Sequence, residues 1–97
     1  MLSIEFKAPQ QILTELGERA KVVRLRLNMS RKTLSERSGV PESSIKRFEV
    51  SGLISSASLV AILMALDRVS DLDTVLAETS VPSIRELHHR KRQRGRA

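Results

Sequence analysis

Residues 30–49 read SRKTLSERSGVPESSIKRFE, and this stretch decides the fold. Ser30 can cap a helix with its hydroxyl group. Gly39 supplies the positive φ that ends a helix. Pro41 suits the first turn of the next helix, where its missing N–H would be unpaired in any case. The stretch therefore predicts two short helices separated by a tight turn, Arg31 to Ser38 and Pro41 to about Glu49.

The two short helices have an apolar inner side and a polar outer side. Leu34 of the first helix is expected to pack against Ile45 and Phe48 of the second, which fixes the angle between them. The small side chain of Ser35 allows close approach beside this packing. The outer positions of the second helix are polar: Glu42, Ser43, Ser44, Lys46 and Arg47. This is the helix-turn-helix layout, in which the second helix enters a DNA major groove about 12 Å wide.

Helical periodicity flanks the motif on both sides. A first helix is predicted over residues 10–28, with an apolar stripe at Leu13, Leu16, Ala20, Val23 and Leu27. Arg24 lies at the edge of this stripe, and a charge at the edge of a core needs a partner.

Two further helices are predicted after the motif. Residues 50–56 are predicted to form a loop, and Ser55 or Ser56 caps a fourth helix through Asp67. Its predicted inner face is Leu59, Ile62, Leu63 and Leu66. Ser70 is predicted to cap a fifth helix, whose inward residues are Leu72, Val75 and Leu76. The fourth helix is apolar nearly all round, which indicates burial on more than one side. Val60 and Met64 are therefore candidates for a dimer interface.

Composition excludes several function classes. The 97 residues contain no cysteine, so thiolate metal sites are excluded. His88 and His89 are adjacent and have no acidic cluster beside them, so we expect no metal site. No phosphate loop, carboxylate pair or nucleophile arrangement suggests an enzyme, so no cofactor and no enzyme activity are expected. Only Phe6 and Phe48 are aromatic, which disfavours binding of single-stranded nucleic acid by base stacking. No apolar run reaches the roughly 18 residues of a membrane span, so a cytoplasmic protein without a membrane partner is expected.

The formal charge of +6 is unevenly placed. Residues 81–97 hold six basic residues and one acidic residue, a net of +5, and residues 1–80 hold the other 11 basic and 10 acidic residues, a net of +1. We expect a disordered basic tail over 81–97, which could neutralise phosphates, dock on an acidic partner or only aid solubility. Residues 10–80 form the predicted domain. Residues 1–9 are expected to be an N-terminal arm, either a short strand that pairs with another chain or a loosely held segment.

The sequence from residue 12 to residue 78 resembles the XRE-type helix-turn-helix family, which includes lambdoid phage repressors and many antitoxins. The resemblance rests on seven motif positions and on the apolar stretch at 58–67. Those seven positions are Leu34, Gly39, Val40, Ile45, Phe48, Glu49 and Gly52. The resemblance implies an all-α domain of five helices.

The resemblance also implies roles for individual residues. Arg31 would touch a phosphate, where the family often has Gln. Glu42, Ser43 and Arg47 would face base edges, and Arg47 would donate to guanine. Glu42 would accept from cytosine N4 or would instead only stabilise the helix N-terminus. The remaining DNA-contact candidates are Lys32, Ser44 and Lys46. Arg24 and Glu49 match a pair that the family uses as a buried or half-buried salt bridge.

The implied function is a dimeric repressor that binds a palindromic site in double-stranded DNA. Within the family, the chain resembles HipB-type antitoxins, which accompany HipA-like kinase toxins and repress their own operons. A stand-alone phage-type or housekeeping regulator without a toxin partner is the alternative. An RNA-binding module is disfavoured by the lack of aromatic platforms.

Overall fold

Four α-helices and one 3-10 helix follow one another along residues 7–78, the part of the chain that the computed structural model describes. They are α1 (Pro9–Arg26), α2 (Arg31–Ser38), α3 (Glu42–Ser51), α4 (Ser56–Ala65) and the 3-10 helix Val69–Thr74. Residues 7–78 contain no strand. The predicted all-α architecture is confirmed for this part. The N-terminal arm up to residue 6 and the basic tail lie outside the described residues.

The ends of α2 and the start of α4 follow the expected local chemistry. The Ser30 hydroxyl accepts a hydrogen bond from the Thr33 backbone N–H at 3.0 Å, which caps α2. Gly39 has φ 78°, a left-handed conformation that a side chain would strain, and it ends α2. Ser55 accepts from the Ser58 N–H at 3.1 Å and caps α4. These three predictions are confirmed.

The core lies where α2 and α3 meet the flanking helices. Its largest fully buried side chains are Phe48, Leu34, Ile45 and Ile62. Ala20, Met29, Val40 and Leu66 complete the buried cluster. The predicted packing of Leu34 with Ile45 and Phe48 thus forms the centre of the domain. Complete burial of one such side chain contributes about 1.5–3 kcal/mol, so these contacts hold α3 firmly against the rest of the domain.

Several predicted helix boundaries, including the start of α1 at Pro9, were wrong by one or two residues. α1 ends at Arg26 because Asn28 takes φ 56°, and Leu27, predicted to face inward, is 48% exposed. α3 begins after Pro41 and extends through Ser51, so Val50 and Ser51 are helical and do not belong to the loop. α4 ends at Ala65, two residues short of the predicted end, and Asp67 takes φ 59°.

The fifth helix differs from its prediction in type and in cap. It is a six-residue 3-10 helix, and its N-cap is Arg68, so Ser70 lies inside the helix. Leu72 is half-buried, but Val75 is 61% exposed and Leu76 is 99% exposed, so these two do not face inward as predicted. Both residues lie beyond the end of the 3-10 helix at Thr74: Val75 is extended and Leu76 takes φ 59°, so helical periodicity does not place them against the core.

Candidate nucleic-acid interface

The two faces of α3 have opposite character. Ile45, Phe48 and Glu49 are buried. Successive residues of an α-helix are turned by about 100°, which places Ser43 and Arg47 on the side away from the core. Both residues are exposed. α3 is therefore fixed through one face and open on the other.

The polar side chains on the open part of α3 are unengaged by any residue that the structure describes. Within residues 7–78, no hydrogen bond or ion pair involves the side chains of Glu42, Ser43, Ser44, Lys46 or Arg47. Ser44 is half-buried and the other four are exposed. Glu42 lies in the first turn of α3, where its negative charge interacts favourably with the positive end of the helix dipole. No side-chain hydrogen bond caps this end of α3. Donors and acceptors for an external ligand are thus available along this face.

Glu49 joins α1, α2 and α3 through one buried carboxylate. Its Oε2 accepts from Arg24 Nε at 2.7 Å, and its Oε1 accepts from a terminal nitrogen of Arg24 at 3.0 Å. The other terminal nitrogen of Arg24 donates to the Met29 carbonyl oxygen at 2.8 Å. The Arg24 and Glu49 side chains are 6% and 1% exposed. The pair that the resemblance implied is therefore in direct, two-bond contact and is buried.

The pKa of Glu49 is lowered by its partners. Burial alone would raise the pKa of this carboxyl, because it disfavours the charged form. The hydrogen bonds and positive charges of Arg24 and Arg31 outweigh burial and bring the pKa below its ordinary value of 4.5. The carboxylate is therefore ionised at neutral pH and holds the three helices together as a charged group.

Arg31 has a contact that the sequence did not indicate. Its Nε donates to Glu49 Oε1 at 2.9 Å, and its side chain is 30% exposed. The residue predicted to touch a phosphate is thus also the third member of the buried ion-pair cluster. Lys32, the next residue of α2, is exposed and has no partner within the described part of the chain.

Gly17 is a second residue that sequence reasoning missed. It lies in α1, and a Cβ atom at this position would overlap the carbonyl oxygen of Phe48 in α3. The backbones of α1 and α3 therefore approach without an intervening side chain. A lone glycine inside an 18-residue helix costs about 1 kcal/mol of stability relative to alanine. A glycine at such a position therefore indicates that close packing requires it, and this signal is visible in the sequence.

The dimer-interface candidates lie on the outer side of α4. Val60 is 38% exposed and Met64, one turn later, is 64% exposed.

Within residues 7–78, no single helix is long and apolar enough to cross a membrane. α3 and α4 pass that test of length and composition only as a pair, and the pair bends by 99° at its break.

Metal-binding groups are not assembled in the described part of the chain. Residues 7–78 bring together no set of three His, Asp or Glu side chains that could hold a metal ion. The adjacent His88 and His89 lie outside the described residues.

Comparison of the chain with protein-family models and with curated proteins finds no match.

Proposed function

We propose that this chain is a sequence-specific transcriptional repressor that binds double-stranded DNA and is not an enzyme. In this proposal it acts in the cytoplasm as a homodimer on a palindromic operator. The observation that carries the proposal is the division of α3 into a buried inner face and an outer face whose polar side chains have no partner among residues 7–78. A recognition helix needs both features, because it must be rigidly held and must offer free groups to base edges.

Arg47 is the strongest candidate for base reading. It is exposed on the outer face of α3, and its guanidinium has no partner within residues 7–78. Two parallel hydrogen bonds from Arg to guanine O6 and N7 are the commonest specific contact in the major groove. Ser43 lies one turn earlier and can reach an adjacent base edge. Glu42 either accepts from cytosine N4 or acts only on the helix N-terminus.

Contacts to phosphates would come from residues around this base-reading face. Arg31 and Lys32 occupy the first turn of α2, and Ser44 and Lys46 flank the outer face of α3. Phosphate contacts position a protein on the duplex without reading sequence. A few correctly placed positive charges are sufficient for such contacts. The small net charge of residues 1–80 is therefore compatible with DNA binding.

A selection experiment tests the proposal directly. Duplexes enriched from a random pool are compared with scrambled duplexes by fluorescence anisotropy across a salt series. We expect the selected duplex to bind about 10³-fold more tightly or better. We also expect log K to fall with log salt by about 0.9 per neutralised phosphate. A pool that shows no enrichment, or equal affinity for both duplexes, contradicts the proposal.

Dimerisation would set the spacing of the operator. A two-fold axis through paired α4 faces at Val60 and Met64 would present two copies of α3 on one side of the duplex. Helix-turn-helix dimers place their half-sites about 10–10.5 base pairs apart, centre to centre, or a multiple of that distance. The selected sequences are therefore expected to be palindromic with this spacing.

We further propose that the repressor is the antitoxin of a HipA-like kinase and regulates their shared operon. This finer assignment rests on the resemblance to HipB-type antitoxins. The alternative is a stand-alone phage-type or housekeeping regulator without a toxin partner. Co-purification with the product of the adjacent reading frame distinguishes the two. A stable complex with a kinase-like neighbour supports the antitoxin assignment, and its absence upon co-expression supports the stand-alone regulator.

A further inference from the structure

The ion-pair cluster around Glu49 contains one carboxylate and two guanidinium groups, so it has an excess of one positive charge. Each of the three guanidinium nitrogens of Arg24 donates one hydrogen bond, two to Glu49 and one to the Met29 carbonyl oxygen. Among the described residues, Arg31 is engaged only through Nε. Its two terminal nitrogens hydrogen-bond to no residue within 7–78. The excess charge of the cluster is therefore available on Arg31.

Arg31 is also the outermost member of the cluster. Its side chain is 30% exposed, whereas the Glu49 side chain is 1% exposed. The guanidinium thus lies between a buried carboxylate and the solvent. An unattached surface arginine loses rotamer freedom when it binds a ligand, but a guanidinium already held in one orientation loses less.

We propose that Glu49 is a positioning residue for DNA binding. It holds the guanidinium of Arg31 so that the two terminal nitrogens of Arg31 donate hydrogen bonds to one phosphate of the duplex. This inference rests on the proposed function, since it concerns the same interface. The resemblance implies only that residue 31 touches a phosphate. The contact with Glu49 adds that the carboxylate orients the guanidinium, and that the buried ion pair of the core also serves the DNA contact.

The position of Arg31 in the fold supports this assignment. Arg31 is the first residue of α2, and Glu49 lies in the last turns of α3, so their bond ties the two motif helices together. In helix-turn-helix complexes the first motif helix crosses the DNA backbone. A fork of two terminal N–H groups matches two phosphate oxygens, and such charge-assisted pairs are stronger than neutral hydrogen bonds.

The phosphate contact is tested with the duplex selected by the wild-type protein, in which each linkage is replaced in turn by a neutral methylphosphonate. We expect one linkage per half-site at which the replacement weakens wild-type binding by about tenfold or more. In Arg31→Gln this linkage loses its effect, and the salt slope falls by about 0.9 per protomer. The matched control is Arg19→Gln, an exposed arginine of α1 without a partner in the described residues, which keeps the wild-type profile.

The positioning role of Glu49 needs a separate readout. Arg31→Lys keeps the charge but replaces the fork with a point charge on a flexible stem. We expect it to bind about 3- to 10-fold more weakly, with an unchanged salt slope. Arg19→Lys should bind as the wild type does. In addition, with the affinity counted per folded protein, Glu49→Gln should weaken binding when Arg31 is present and have no further effect in the Arg31→Gln background.

Each outcome has a defined consequence. If Arg31→Gln retains the wild-type methylphosphonate profile, Arg31 grips no phosphate and the inference is wrong, although the repressor function stands as long as the selected duplex is bound. If Arg31→Lys binds as tightly as the wild type, charge alone is sufficient and positioning by Glu49 is wrong. This second result decides the matter even if Glu49→Gln does not fold. If no duplex can be selected at all, the proposed function itself fails.

Discussion

Gly17 of α1 lies directly against the carbonyl oxygen of Phe48 in α3, with no space between them for a methyl group. Phe48 is itself 1% exposed and sits at the centre of the core. This backbone contact sets how closely α1 and α3 can pack, and it fixes the orientation of α3 together with the ion pair one residue later at Glu49.

Gly17→Ala is expected to destabilise the domain by about 1–3 kcal/mol. The added methyl group overlaps backbone, so the two helices must separate, as in other overpacked cores. The expected value is net of the gain of about 1 kcal/mol that alanine brings to a helix in place of glycine. Urea unfolding followed by circular dichroism measures the change. Glu18→Ala, at the exposed neighbouring position, is the control and should stay within about 0.5 kcal/mol of the wild type. A Gly17→Ala variant as stable as the control would show that α1 and α3 are not in close contact.

The parts of the fold that depend on local chemistry could be predicted from the sequence. Ser30 and Gly39 act on the backbone within a few residues, so the sequence identifies both ends of α2. The 3-10 helix could not be predicted in the same way. Asp67 takes a positive φ, and Arg68, not Ser70, is the N-cap. Neither residue type prefers these positions strongly enough for the sequence alone to predict them. Val75 and Leu76 follow this helix and are exposed, which their apolar character alone does not reveal.

A buried ion pair should be costly to break and much less costly to replace as a whole. Glu49→Leu leaves the 6%-exposed Arg24 without its carboxylate and is expected to cost about 3–5 kcal/mol. Combining it with Arg24→Met removes the unpaired charge, so the double variant should be more stable than Glu49→Leu alone. Urea unfolding of the four proteins of this cycle gives the coupling energy. Additive effects would mean that the two side chains are not paired in the folded protein.

The lowered pKa of Glu49 makes stability depend on pH in a defined direction. The unfolded chain takes up a proton near the ordinary value of 4.5, whereas the folded protein does so only at a lower pH. The stabilisation is therefore complete above pH 4.5 and is lost as the pH falls through the folded value. Unfolding measured between pH 7 and pH 3 should show a steeper fall for the wild type than for the double variant Arg24→Met, Glu49→Leu. Parallel curves for the two proteins would contradict this account.

The outer side of α4 is expected to mediate dimerisation. Met64→Asp places a charge at a position that is 64% exposed in the monomer, so it should leave folding nearly intact and weaken self-association. Sedimentation equilibrium measures the change in monomer–dimer equilibrium. Leu25→Asp is the matched control, because Leu25 is 53% exposed on α1 and lies outside the proposed interface. Equal association of both variants with the wild type would exclude Met64 from the interface.

The candidate site was only partly predictable, for a physical reason. The outer residues of α3 follow from helical periodicity once Ile45 and Phe48 are assigned to the core. The bond between Arg31 and Glu49 joins residues 18 positions apart on two different helices, and no local pattern encodes it. Gly17 and Phe48 are likewise 31 positions apart. Contacts of this kind depend on the angle between helices, which only the folded structure supplies.

Specific DNA binding through α3 is the central claim, and the affinity of Arg47→Ala for selected and scrambled duplexes tests it most directly. Arg19→Ala removes the same charge from an exposed site on α1 and serves as the control. We predict that Arg47→Ala loses about 1–3 kcal/mol on the selected duplex and much less on the scrambled one, so that discrimination falls. Arg19→Ala should retain the discrimination of the wild type. If Arg47→Ala discriminates between the two duplexes as well as the wild type does, α3 does not read DNA sequence through Arg47 and the account is contradicted.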